Sequence, residues 1–257
     1  MRFDSLNKHM RVFETSSDRI VADSIHMVVR LDGRGFSKLT NEVLKFKRPF
    51  DSRFKDAMVH TARHLMLNTG IQPIYAYTQS DEISLLLHRD ERAFGRKTRK
   101  LNSILSGEAS AAISLHLNQH ACFDSRVCEL PSSEQVVDYF RWRCEDATRN
   151  AANAYSYWRL REEGCSPAEA DRQLSGLNVS DKLALLINNG VELDTFPQWQ
   201  QYGVGLVWRQ EEKKGINPIT GQTVSTTRKH LFVDNTLPTG DSYGNFIDSI
   251  LVGKTQY

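Results

Sequence analysis

The strongest constraint on this chain is a pair of acidic turns, each at the end of an apolar run. His26-Met27-Val28-Val29-Arg30-Leu31 reads as a strand and runs into Asp32-Gly33-Arg34-Gly35-Phe36. Two β-prone runs, Ile74-Tyr75-Ala76-Tyr77 and Ile83-Ser84-Leu85-Leu86-Leu87, flank Ser80-Asp81-Glu82 and read as a hairpin with the acids at its turn. If these strands are sheet neighbours, Asp32 and Asp81 converge at one edge. Two adjacent carboxylates repel, and a hard divalent cation such as Mg²⁺ is their simplest stabiliser. Gly33 and Gly35 let backbone N–H groups approach a phosphate closely. Alone, Asp-Gly is a common turn, and Ser-Asp-Glu is a turn or a helix start. Together at strand ends they resemble a nucleotide enzyme's Mg²⁺ site.

The order of elements fits that edge. Residues 1–24 read as a polar helix and about 25–31 as a strand. A helix over about 52–69 carries Ala57, Met58, Ala62, Leu65 and Met66 on one face and ends at Gly70. The hairpin of about 73–78 and 82–88 follows, then a long helix over about 93–119 and a strand over about 121–129. This β-α-β-β-α-β order predicts an α+β, ferredoxin-like domain: an antiparallel sheet with helices on one face, the plan shared by polymerase palms and nucleotide cyclases. The expected division is a palm-like catalytic domain, 1–132, and a helical extension with a β-hairpin, 133–257, packed on it as one compact unit.

In the extension, 133–162 reads as helix, rich in Tyr, Trp and Arg. Ser166-Pro167-Ala168-Glu169 opens another helix with a capping serine, a first-turn proline and a capping-box glutamate. Ser180-Asp181-Lys182 begins a third, and 203–210 with about 223–233 forms a hairpin across the loop Lys213–Pro218.

Composition excludes more than it selects. The four cysteines form no CxxC pair and no zinc spacing, so reduced thiols in a cytoplasmic protein are expected. No apolar signal core opens the chain, and no apolar run is long enough to span a membrane. The net charge of +2 is uninformative, but basic residues cluster. One run is Arg89, Arg92, Arg96, Lys97, Arg99 and Lys100; another is Lys45, Lys47, Arg48, Arg53 and Lys55. A charge run is usually a solvated face; beside an acidic metal site, two such runs suit a triphosphate or a phosphodiester backbone. His60 and His64 lack the glutamate of an HExxH motif and read as ordinary helix residues.

With both acidic motifs in this order, the chain resembles the tRNA-His guanylyltransferase superfamily of 3′-to-5′ nucleotide-adding enzymes. Val28-Val29-Arg30-Leu31-Asp32-Gly33-Arg34-Gly35-Phe36 is similar to its first metal motif, and Arg48-Pro49-Phe50-Asp51-Ser52-Arg53 to its K-P-N-D-x-R segment. Tyr77-Thr78-Gln79-Ser80-Asp81-Glu82-Ile83-Ser84 resembles its Y-G-Q-S-D-E-Y-S hairpin, and Phe123-Asp124-Ser125-Arg126 its F-D-x-R strand. The resemblance implies two Mg²⁺ ions held by Asp32, the Gly33 carbonyl and Asp81, with Glu82 as a further important acid. It implies a nucleoside triphosphate cradled by Gly33, Arg34, Gly35 and Phe36, with Ser80 beside it and Lys100 on the phosphates. Arg48, Asp51 and Arg53 would serve a second nucleotide or the RNA 5′ phosphate. Asp124 and Arg126 match a structural or substrate-binding pair, and Lys182 a tRNA contact.

The implied reaction is two-metal phosphoryl transfer on tRNA with GTP, ATP or other NTPs. The 3′-hydroxyl of an incoming nucleotide attacks the activated 5′ end of the RNA. The resemblance also implies a homotetramer. Thr148 stands where members that add G to tRNA-His carry a histidine, so the chain is closest to the guanylyltransferase-like branch, which repairs or extends 5′-truncated tRNA on a template. Two rival readings stand beside this one: a nucleotide cyclase or dinucleotide synthase on the same palm, and a non-enzymatic RNA-binding protein.

Overall fold

A computed structural model describes residues 2–192, 195–216 and 221–253. Six antiparallel strands form one sheet in the order β4-β1-β3-β2-β5-β6. They are β1 (His26–Arg34), β2 (Pro73–Gln79), β3 (Glu82–Leu87), β4 (Cys122–Leu130), β5 (Val204–Ile216) and β6 (Thr223–Asp234). The first four carry the expected ferredoxin-like order, and the hairpin of the extension adds β5 and β6 beside β2.

Side chains alternate across a strand, so neighbours in β1 enter different cores. Val29 and Leu31 pack with Leu85 against α3 (Ser52–Leu67) and α4 (Thr98–Leu117), where Ala57, Leu65, Leu105 and Ile113 are buried. Val28 packs with Tyr75 and Leu86 on the opposite face, under Phe140 of α5 (Ser133–Glu162) and Tyr243 and Ile247 of α9 (Gly240–Leu251). The sheet is therefore covered on both faces, α3 and α4 on one and the extension on the other. Each such fully buried side chain contributes about 1.5–3 kcal/mol.

The helices start where their caps dictate. Asp51 caps α3 by accepting from the Arg53 amide at 2.9 Å. Ser132 and Gln135 form a reciprocal capping box that starts α5. Ser166 with Glu169 does the same for α6 (Pro167–Leu174), and Asn178 with Asp181 for α7 (Val179–Asn188). The short α8 (Gln198–Tyr202) leads into β5.

Four expectations need adjustment. The first helix, α1 (Phe3–Thr15), is shorter than 1–24. The long helix begins at Thr98, because Phe94, Gly95 and Arg96 take positive φ and form a separate tight turn. The expected Lys213–Pro218 loop is strand as far as Ile216, whose backbone pairs with Thr223; residues 217–220 lie outside the described residues. Helix α9 was not anticipated.

Candidate active site

The β1–β3 and β1–β4 registers place Asp32 directly between Glu82 and Asp124. Beyond that row the Gly33 amide donates to the Asp81 carbonyl at 3.0 Å, which pins the glycine turn to the hairpin turn. The single-turn α2 (Phe36–Lys38) follows Gly35, whose φ of 72° is left-handed. Ser80 also takes positive φ at the hairpin tip, and its hydroxyl donates to Asp81 Oδ1 at 3.3 Å. The two acidic turns thus meet at one sheet end, as the sequence predicts.

Each carboxylate has a different environment. Asp32 Oδ2 accepts from Arg126 Nη2 at 2.9 Å and from Arg30 Nε at 3.2 Å. Glu82 is buried and takes two parallel bonds from Arg143 of α5, Nε to Oε1 and Nη2 to Oε2, each 2.7 Å. Burial pushes the Glu82 carboxyl above its ordinary range, against the pull of Arg143. Asp81 pairs with no basic side chain among the described residues. Burial pushes its carboxyl up as well, and the Asp32 charge adds to that shift.

A cleft of about 130 Å³ opens between this sheet end and α5. Asp32, Asp81, Glu82 and Asp146 line it against a single arginine, Arg143. Arg30, Arg126 and Arg149 offset part of this charge from outside the lining, but the half-buried Asp81 has no basic partner among the described residues, and that fits a divalent ion better than an anion. Among the described residues no three His, Cys, Asp or Glu side chains group as ready-made ligands. Mg²⁺ needs fewer, since it keeps waters and binds through one or two carboxylates plus substrate phosphates. The residues present fit it.

A second cleft of about 260 Å³ adjoins the first and shares Gln79, Ser80 and Asn150 with it. Its walls are aromatic (Phe46, Phe50, Phe54, Trp199) and basic (Lys47, Arg48, Lys55). The Arg48 guanidinium lies 5.4 Å from the Trp158 ring, and Lys55 Nζ 5.5 Å from that of Trp199. Flat rings beside cations suit a nucleobase and its phosphates.

Not every sequence candidate is free to act here. Asp51 lines the second cleft, but its carboxylate is occupied as the α3 cap and bonded to Arg53, whose Nη2 reaches Asp51 Oδ2 at 2.6 Å. Those bonds hold the Asp51 carboxyl well below the usual carboxylate range. Arg126 bridges Asp32 and Asp124, so the F-D-x-R pair steadies the acidic edge. Lys182 Nζ donates to Asn153 Oδ1 at 2.9 Å and ties α7 to α5. Arg34 and Lys100 are exposed and line neither cleft.

Much of the basic run from Arg89 is structural. Arg96 is buried and donates to the carbonyls of Val21, Ala22, Ile25, Arg89 and Glu91. Lys97 and Arg99 both engage Asp18, and Arg92 engages Asp23. Conversely, Arg143, Asp146 and Asn150 were not singled out, although their spacing puts them on one face of α5.

An antiparallel palm with acids at one sheet end and an aromatic, basic cleft beside them defines the class of nucleotide-handling phosphoryl-transfer enzymes. A family model described as tRNAHis guanylyltransferase matches residues 7–131, and one described as Thg1 C terminal domain matches residues 134–236. The tRNA(His) guanylyltransferase of Candida glabrata is 28% identical over 226 residues, covering 83% of this chain and 94% of that protein. The probable tRNA(His) guanylyltransferase of Homo sapiens is 29% identical over 223 residues, covering 79% and 73%.

Among solved structures, a bacterial tRNA(His) guanylyltransferase-like protein in complex with GTP superposes with a TM-score of 0.73 at 23% identity. It covers 96% of this chain and 99% of that one. The Saccharomyces cerevisiae enzyme gives 0.70 at 23%, covering 76% and 90%. These structural likenesses establish the fold. The chain belongs to the tRNA(His) guanylyltransferase family and is a nucleotidyltransferase. No helix among the described residues is long and apolar enough to cross a membrane.

Proposed function

We propose that this chain adds nucleotides to the 5′ end of tRNA in the 3′-to-5′ direction, reading the opposing strand as template. The observation that carries this reading is the adjacency of the acidic cleft to the aromatic and basic one across Gln79, Ser80 and Asn150. One cleft suits a triphosphate with its cations, and the other a second nucleotide or an RNA 5′ end. The relatives are named for tRNA(His), and the bacterial neighbour is recorded with GTP and with ATP.

In this reading the oxygen of a nucleotide 3′-hydroxyl bonds to the 5′ phosphorus of the RNA, its proton passes to water, and pyrophosphate or AMP leaves with the electron pair of the broken bond. Asp32, Asp81 and the Gly33 carbonyl would hold two Mg²⁺ ions, which would supply Lewis acidity toward the hydroxyl and the leaving phosphate oxygens. Arg30 and Arg126 orient Asp32 through its Oδ2. Arg143 fixes Glu82 at the rim. Arg48 and Lys55, held against indole rings, grip the phosphates of the second substrate.

Thr148 carries no imidazole; its hydroxyl donates to the Cys144 carbonyl at 3.1 Å, within α5. This supports templated repair of truncated tRNA over G addition restricted to tRNA-His. We also read the chain as cytoplasmic and tetrameric, on resemblance.

The test is a tRNA lacking its first nucleotide, 5′-phosphorylated or 5′-triphosphorylated, with Mg²⁺ and each NTP in turn. Growth by the complement of the opposing base, lost in Asp32→Ala, is expected. Addition of G alone, and only to tRNA-His, would overturn the templated reading. NTP consumption without RNA would favour a cyclase.

A further inference from the structure

The acidic cleft and the aromatic, basic cleft share the lining residues Gln79, Ser80 and Asn150. These come from two facing elements. Gln79 ends β2 opposite Glu82 in the ladder, and Ser80 follows it at the hairpin tip. Asn150 stands on α5, on the face that carries Arg143 and Asp146. A molecule that occupies both clefts therefore passes between Gln79 and Asn150.

The chemistry of this junction differs from that on either side. Carboxylates lie beyond it in one direction, and rings with cations in the other. The shared side chains are polar and carry no charge. Asn150 is oriented by its neighbours. Its Nδ2 donates to Asp146 Oδ2 at 3.3 Å, and Asp146 is held in turn by Arg143 Nη2 at 3.0 Å and Arg149 Nη1 at 3.1 Å. An ionised carboxylate only accepts, so the Asn150 nitrogen is the atom that faces it, and Oδ1 is left as an acceptor. Among the described residues the Gln79 carboxamide has no hydrogen-bond partner, so it offers both donor and acceptor. Ser80 Oγ gives its proton to Asp81 Oδ1 and keeps its lone pairs.

The proposed reaction joins the 3′-hydroxyl of a nucleotide in one cleft to phosphorus in the other. The sugar that bears this hydroxyl must stand at the junction. A nucleotide with its phosphates in one cleft and its base in the other places its sugar at the same point. The 2′-hydroxyl is the neighbour of the 3′-hydroxyl, both donates and accepts, and is what separates a ribonucleotide from a deoxyribonucleotide. Opposed carboxamides suit it. A phosphate calls for cations, and a hard metal ion for carboxylates.

We infer that Asn150 and Gln79 read the 2′-hydroxyl of the nucleotide whose sugar sits at the junction, and so select ribonucleotides over deoxyribonucleotides. This rests on the reading of the two clefts as a nucleotide site, and not on which RNA end is extended.

The full chain and its Asn150→Ala and Gln79→Met variants are compared on GTP and 2′-deoxy-GTP. Equilibrium dialysis with Mg²⁺ and no RNA gives the affinities. The kcat/KM for addition to a 5′-triphosphorylated tRNA that lacks its first nucleotide and presents C opposite gives the second comparison. The wild type should prefer GTP by about tenfold, the size of one or two neutral hydrogen bonds. Each variant should erase most of that preference by weakening GTP and leaving 2′-deoxy-GTP unchanged. Gln79→Met keeps the length of the side chain and Asn150 is exposed, so neither variant disturbs the core. A merely structural role would weaken both nucleotides alike and leave their ratio where it was. That outcome overturns the inference, as does a wild type that takes both nucleotides equally in the two measurements, or GTP that fails to bind saturably. A binding preference erased by the variants, with no transfer to any tRNA, upholds the ribose reading and removes 5′ addition. Transfer that proceeds equally well with either nucleotide, without a binding preference, does the reverse.

Discussion

Arg143 of α5 and Glu82 of β3 meet in two parallel hydrogen bonds of 2.7 Å, and both side chains are 12% exposed. This pair clamps the extension onto the acidic sheet end. Removing one partner of a buried ion pair leaves an uncompensated charge and costs about 3–5 kcal/mol. Arg143→Ala should therefore lower stability by about that amount, whereas Arg143→Ala with Glu82→Leu should recover most of it. Urea unfolding of the single and double variants measures the difference. A double variant no more stable than the single one would show that the loss comes from packing instead of stranded charge.

Asp32 and Asp81 should behave differently. Neither is needed to hold a core, and Asp81 sits half-buried beside like charge at a cost to the fold. Asp81→Ala should leave the melting temperature equal or higher while nucleotide transfer falls by more than the roughly 10–100-fold expected for loss of an outer-shell partner. EDTA should abolish transfer in the wild type without shifting its circular dichroism spectrum. Transfer that survives either treatment would remove the metal from the proposed mechanism.

The segment before β1 is fastened by Asp18, which accepts from Arg99 and, at 2.7 Å, from Lys97 Nζ. Its hydrogen bonds to Arg99 and then to Lys97 pull the carboxyl down from 3.8 to about 2. A depressed folded pKa means the unfolded chain binds the proton more readily, so the stabilisation is present above the unfolded value and lost as pH falls. The stability gap between wild type and Asp18→Asn should be constant near neutrality. It should begin to narrow near pH 4 and continue to close toward pH 2. Denaturant titrations at stepped pH read this directly, and a gap that stays constant down to pH 2 contradicts the assignment.

The sequence made the strand order legible because strands and helices differ in period, and 73–87 and 133–162 carry clean patterns. It made the meeting of Asp32 with Asp81 legible because both acids end runs of fixed type. Helix α9 escaped notice. Its apolar stripe of Tyr243, Phe246, Ile247 and Ile250 is helical, but Gly240, Asp241, Ser242, Gly244 and Asn245 read as loop. The basic run from Arg89 misled because charge does not name its partner. Asp18, Asp23 and a ring of backbone carbonyls claim most of it, and Asp18, Asp23 and the carbonyls of Val21, Ala22 and Ile25 lie far away in sequence. Arg143 could not be assigned to Glu82 for the same reason: only the packing of α5 on the sheet brings them together.

Gly33 offers the sharpest test of the acidic edge. A Cβ added there would lie 2.7 Å from Cγ of Phe36 and 2.8 Å from both Cδ atoms. That ring is 2% exposed and sits 5.0 Å from the Phe123 ring and 6.0 Å from that of Phe54, centroid to centroid, so it has little room to retreat. In Gly33→Ala the strand end must move instead. The movement would strain the Gly33 amide's bond to the Asp81 carbonyl and separate the two acidic turns. We expect a loss of about 1–3 kcal/mol, typical of overpacking, and a fall in transfer greater than that loss alone implies. Gly33→Ala with Phe36→Ala frees the space the methyl needs, because it removes Cγ and both Cδ atoms. It should regain a large part of the transfer rate, although the lost ring leaves a cavity that keeps stability below that of the wild type. If the double variant is stable yet as inactive as Gly33→Ala, the methyl blocks substrate at the turn, and the ring is not the cause.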